Sequence, residues 1–64
     1  MNHFYKAVQE LDKIDKAIIF YQLEGFSHKE IGINLGISEG NARVKLNRAK
    51  DKLKEIIKKQ GYGL

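Results

Sequence analysis

The sequence predicts an all-α domain of four helices, on three observations. Apolar residues recur at steps of three and four along most of the chain. No stretch keeps the period-two alternation of a half-buried strand. Small polar residues and glycines divide the apolar stretches, and proline is absent. At 64 residues there is room for one domain with one modest core, because a chain this short buries only roughly 60% of its unfolded surface. There is no cysteine, and the two histidines, His3 and His28, have no partners at metal-ligand spacing. Neither a disulfide nor a metal is therefore expected to staple the fold, and no cofactor is expected.

The elements are expected at about 2–10, 13–24, 28–35 and 39–60, with 61–64 as a tail. The first helix sets Phe4, Ala7, Val8 and Leu11 on one stripe. The second opens at Asp12 as N-cap, with Asp15 three residues on as a weak capping box. Its main stripe is Ile14, Ala17, Ile18 and Tyr21. Ile19, Phe20 and Leu23 lie on other faces, so it is apolar nearly all round, as suits a helix that is central or presents a spare face to a partner. Gly25 supplies a left-handed stop.

The third helix has the clearest local signal. Ser27 is its N-cap, Glu30 reaches back to close a capping box, and Phe26 with Ile31 forms a hydrophobic staple. Gly36 ends it after Leu35, and Gly32 within it leaves room for another helix to approach. Ile37 and Ser38 then repeat the sequence of apolar residue and cap. The fourth helix carries Ala42, Leu46, Ala49, Leu53, Ile56 and Ile57 as one continuous seam.

The formal net charge of +4 is unevenly placed. Residues 41–64 hold eight of the twelve Lys and Arg but two of the eight Asp and Glu. Such asymmetry points to a polyanion, nucleic acid or an anionic membrane surface, against the plainer reading of a solvated lysine-rich helix. Met1 to Leu11 mixes charged and apolar residues, unlike a secretory signal, and no apolar run nears the roughly 20 residues that span a bilayer. A cytoplasmic setting is expected, with neither membrane nor small-molecule substrate as partner. An enzyme is not expected: the carboxylates sit mainly at helix starts, where capping explains them, and no Ser/His/Asp set or phosphate-cradling loop is present.

Two capped helices joined by a short turn around a glycine are the sequence form of a helix-turn-helix. In that motif the second helix enters the major groove and its N-terminal residues meet base edges. With Ala42, Leu46, Ala49 and Leu53 turned inward, the opposite side holds Gly40, Val44, Asn47, Arg48 and Asp51, with Arg43 beside it. Arginine suits guanine or phosphate, asparagine suits adenine, and an apolar side chain meets the thymine methyl. Gly40 leaves room for a phosphate at the helix N-terminus. The plainer alternatives are solvation, or a local Arg48–Asp51 pair at i,i+3. Lys50, Lys54 and Lys58 lie beyond the base-reading turns and act, if at all, through phosphate attraction.

Three stretches together, Leu23-Glu24-Gly25-Phe26-Ser27-His28-Lys29-Glu30-Ile31, Leu35-Gly36-Ile37-Ser38-Glu39-Gly40-Asn41 and Leu46-Asn47-Arg48-Ala49-Lys50, resemble region 4 of extracytoplasmic-function sigma factors. So does the opening Leu11-Asp12 with Asp15-Lys16-Ala17-Ile18, and the likeness spans about residues 4–57. The resemblance implies a four-helix domain that docks on bacterial RNA polymerase and reads the promoter −35 element in double-stranded DNA. It implies DNA contacts at Arg43, Val44, Lys45, Asn47 and Arg48, with Asn41 near a phosphate. It further implies that the first two helices meet the flap of the polymerase β subunit, which gives Ile19, Phe20 and Leu23 a role, and that an anti-sigma factor covers the same surfaces. Ala42 stands where the family usually has valine, Gly32 where alanine is common and Asn41 where threonine or serine is usual. The first two are expected to weaken local packing and the third to alter a phosphate contact. The half of a sigma factor that melts the −10 region has no counterpart here, so the chain is expected to be an excised domain or a stand-alone paralogue.

Three other readings stay open on sequence alone. The chain is alternatively the output domain of a quorum-sensing or response-regulator type activator, which would dimerise through its last helix. It is alternatively a protein-interaction module that has lost DNA binding, or a domain whose basic last helix lies on a membrane surface.

Overall fold

A computed structural model describes residues 3–59. They form four α-helices: α1 (His3–Gln9), α2 (Lys13–Leu23), α3 (His28–Leu35) and α4 (Glu39–Lys59). The longest, α4, packs against the other three, and at 1.5 Å per residue its 21 residues span roughly 31 Å. Within the described residues the expected boundaries agree to within a residue; the expected helix ends at 2 and 60 and the tail at 61–64 lie outside them.

The helix ends are set locally, as the sequence indicates. Ser27 Oγ accepts from the Glu30 backbone N–H at 3.1 Å, and Glu30 Oε1 accepts from the Ser27 backbone N–H at 2.8 Å, closing the capping box. Hydrogen bonding to the Glu30 carboxyl from the Ser27 backbone, the larger effect, and from the Ser27 side chain holds it below the usual glutamate range. Ser38 Oγ likewise accepts from the Asn41 backbone N–H at 3.1 Å and starts α4. Gly25 and Gly36 sit at φ 89° and 72°, the left-handed region that stops a helix at little cost only when the residue has no Cβ.

The core is built from every helix and from the α1–α2 turn. Ala7, Val8, Leu11, Ile18, Ile19, Ile31, Ala42, Leu46, Ala49 and Leu53 are buried, with Ile56 and Ile57 half-buried against them. The seam expected on α4 is thus the seam observed. Tyr21 and Phe26 also pack on the core, their ring centroids 5.1 Å apart.

In α2 the structure departs from the expected stripe. Ile14 is 55% exposed, whereas Ile19, expected on a spare face, is 4% exposed and belongs to the core. The face turned inward carries Asp15, Ile18 and Ile19. Asp15 does not complete a capping box: its backbone N–H donates to Asp12 Oδ1 at 2.9 Å, while its own carboxylate accepts from Lys52 Nζ at 2.7 Å across the domain. A helix that is apolar nearly all round has no preferred face of its own. The rotation is decided by α4, which brings Lys52 to a half-turn of α2 where a carboxylate can be buried only if it is paired.

Gly32 also has a different neighbour from the one expected. A Cβ there would lie 2.7 Å from the Ile37 carbonyl oxygen and 3.1 Å from that of Ser38. What approaches is the backbone of the turn that launches α4. The Ile37 backbone N–H in fact donates to the Gly32 carbonyl at 2.9 Å. Gly32 is therefore what allows the tight turn, and does not loosen it.

Candidate nucleic-acid interface

Since successive residues of an α-helix are turned by about 100°, the buried seam of α4 fixes what the other side presents. Ala42 and Leu46 are fully buried, and between and after them Arg43, Val44, Lys45, Asn47 and Arg48 are all exposed. Val44, 46% exposed, lies near the middle of the outward face with Asn47 and Arg48. Asn41 is exposed in the first turn. A Cβ at Gly40 would meet nothing within 4 Å, so the helix start is sterically open.

The two flanks of this face are built differently. On the α3 side, Arg43 donates from Nε to His28 Nδ1 at 3.4 Å and pairs through Nη2 with Glu39 Oε2 at 3.5 Å, its side chain still 55% exposed. On the α2 side, Lys45, Arg48 and Lys52 line a shallow groove of about 290 Å³ with Asp12, Ile14 and Asp15. The hydrogen bond that Lys52 donates to Asp15, and then the Asp15 charge, raise Lys52 above the usual lysine range. Lys52 is thereby committed within the domain, while Arg48 faces the groove. The local Arg48–Asp51 pair is not found among the described residues.

Sequence reasoning missed two features here. Neither the Asp15–Lys52 pair nor the His28–Arg43 bond has a local signature, since they join residues 37 and 15 positions apart. Of the residues expected to meet a protein partner, Phe20 and Leu23 are 39% and 60% exposed, while Ile19 is not available. Phe20 borders a mostly apolar groove of about 380 Å³ with Ala17, Tyr21, Glu24 and Phe26. A larger groove, about 580 Å³, lies between the α1–α2 turn and the far half of α4. Its rim includes Glu10, Asp12, Asp51 and Glu55, a charge unsuited to nucleic acid. Among the described residues no group of three or more His, Cys, Asp or Glu is placed to hold a metal, and no helix is long and apolar enough to cross a membrane.

A short first helix, a glycine turn and a second helix with an outward row of basic and amide side chains make a helix-turn-helix. The sigma-70 region 4 family matches residues 2–53, nearly the whole chain. The chain belongs to that family. It is a sigma-factor DNA-binding domain, not an enzyme. It is 38% identical over 56 residues to RNA polymerase sigma factor CarQ of Myxococcus xanthus. That alignment takes in 86% of this chain and 32% of the relative, so the chain spans about a third of the curated protein it matches. No solved structure matches it significantly.

Proposed function

We propose that this domain reads the −35 element of bacterial promoters through the first three turns of α4, as part of a factor that directs RNA polymerase to start transcription. The observation that carries the reading is the exposed array of Arg43, Val44, Asn47 and Arg48, held on one side of a helix whose other side is fully buried. In the major groove, Arg43 and Arg48 supply forked donors for guanine or phosphate, Asn47 supplies a donor–acceptor pair for adenine, and Val44 meets a thymine methyl. Lys45 and the first-turn Asn41 lie where phosphate contacts set the register of the helix. The lysines farther along contribute attraction without sequence information.

The polymerase contact, in this reading, is made by the exposed part of α2. Phe20 borders the apolar groove between α2 and Phe26, and Leu23 is exposed on the same helix; together they suit a small apolar element of the β-subunit flap. An anti-sigma protein acting on this domain would cover the same residues. Ile19 supports that surface from beneath without taking part in it.

The test is selection of bound sequences from a random duplex library at low salt, followed by footprinting with polymerase core. Enrichment of a short −35-like motif is expected, with each of Arg43→Ala and Arg48→Ala weakening the selected site by about 1–3 kcal/mol. Phe20→Glu with Leu23→Glu is expected to abolish the polymerase-dependent footprint while leaving binding of the free domain unchanged. No enriched motif, or the same motif and affinity from the arginine variants, would refute the reading of α4.

A further inference from the structure

The sequence marks Arg43 as a reader, but the structure shows it gripped from two directions. Glu39, one turn earlier on α4, takes Nη2 at 3.5 Å, and His28, at the first position of α3, takes Nε at 3.4 Å through Nδ1. An imidazole nitrogen accepts a hydrogen bond only when unprotonated, so this contact requires the neutral ring with its proton on Nε2. Both contacts are long, and the Arg43 side chain remains 55% exposed, with guanidinium donors to spare. A side chain with four rotatable bonds is thereby narrowed to one direction before any base is met, which lowers the ordering cost of recognition.

We propose that His28 is a positioning residue for DNA recognition, its neutral imidazole aiming Arg43 at the base it reads. Glu30, on the same helix, is already committed to the Ser27 backbone N–H, and among the described residues α2 sends no hydrogen-bonded or ion-paired group to His28.

The inference rests on Arg43 being a reader, and the experiment separates the two claims. The probe is the selected duplex and a variant with one base pair changed at the position that Arg43→Ala makes indifferent. Affinities are measured by fluorescence anisotropy at neutral pH, and circular dichroism confirms that every variant is folded. The preference for the matched duplex is expected to fall about three- to tenfold in His28→Ala, the worth of one hydrogen bond. His28→Asn keeps an acceptor at the same distance from the backbone, so it should keep most of the preference. If Arg43→Ala leaves discrimination untouched, the reading of Arg43 fails. If it does not, but His28→Ala keeps the full preference, or His28→Asn loses as much as His28→Ala, the positioning role fails alone.

Discussion

Gly32→Ala is a change whose sign separates the packing described above from ordinary helix behaviour. In a helix interior, alanine is favoured over glycine by roughly 0.5–1 kcal/mol, because the glycine backbone loses more freedom on folding. Here the added methyl carbon would stand 2.7 Å from the Ile37 carbonyl oxygen and 3.1 Å from the Ser38 carbonyl oxygen. Neither oxygen belongs to a flexible side chain; both are main-chain atoms of the turn between α3 and α4. Relieving the closer contact means moving that turn by several tenths of an ångström and stretching the bond from the Ile37 N–H to the Gly32 carbonyl. Forcing extra carbon into packed backbone costs typically 1–3 kcal/mol, which outweighs the propensity gain and leaves a net loss of about 1 kcal/mol. In a domain this small that lowers the melting temperature by roughly 4–8 °C. Thermal unfolding followed by circular dichroism at 222 nm (the helix band; about 1 °C precision suffices) measures it. An unchanged or raised melting temperature would show that the turn yields freely and that the close approach does not hold α4 in place.

Other substitutions test separate parts of the fold. Ser27→Ala removes the cap of α3 and should cost about 1 kcal/mol by chemical denaturation. Because the Glu30 carboxyl is held below its ordinary range, its share of stability is complete above the usual glutamate pKa and disappears as pH falls through the lowered value. A Glu30→Gln protein should therefore show a flatter acid limb of stability against pH. Lys52 is shifted the other way, so the support it gains from Asp15 is complete below the usual lysine pKa and is lost as pH rises through the raised one. Lys52→Gln should remove that alkaline loss and destabilise the domain at neutral pH, since Asp15 is left buried without its partner. Leu46→Ala, at a fully buried position, should cost about 2–5 kcal/mol. That is a large share of the roughly 3–10 kcal/mol available to a domain of this size, so a strongly lowered denaturation midpoint is the expected result.

What was legible in the sequence was what neighbours decide. The caps at Ser27 and Ser38 and the stops at Gly25 and Gly36 act over three or four residues, and each is found where the residue types place it. The seam of α4 was equally plain, because charged residues on its other faces left one apolar direction. The basic and amide positions of the proposed reading face followed from that seam. In α2 the same reasoning failed for Ile14 and Ile19, since a ring of apolar residues leaves orientation to whatever packs against it. The deciding partner, α4, arrives from elsewhere in the chain. The hold on Arg43 escaped for the same reason: His28 lies 15 residues away and meets it only after the turn has formed.

The interleaving on α4 has a consequence for how such a domain can change its target. Core and surface positions alternate within the same two turns, Ala42 beside Arg43 and Leu46 beside Asn47, yet the turn of about 100° between neighbours leaves one buried and the other exposed. On the proposed reading, exchanges at 43, 44, 47 and 48 rewrite the preferred sequence while the scaffold registers almost nothing. New promoter preferences are then reachable one substitution at a time, with no intermediate that must sacrifice folding. On that reading, the separation would let copies of one small scaffold diverge in the sequence they prefer.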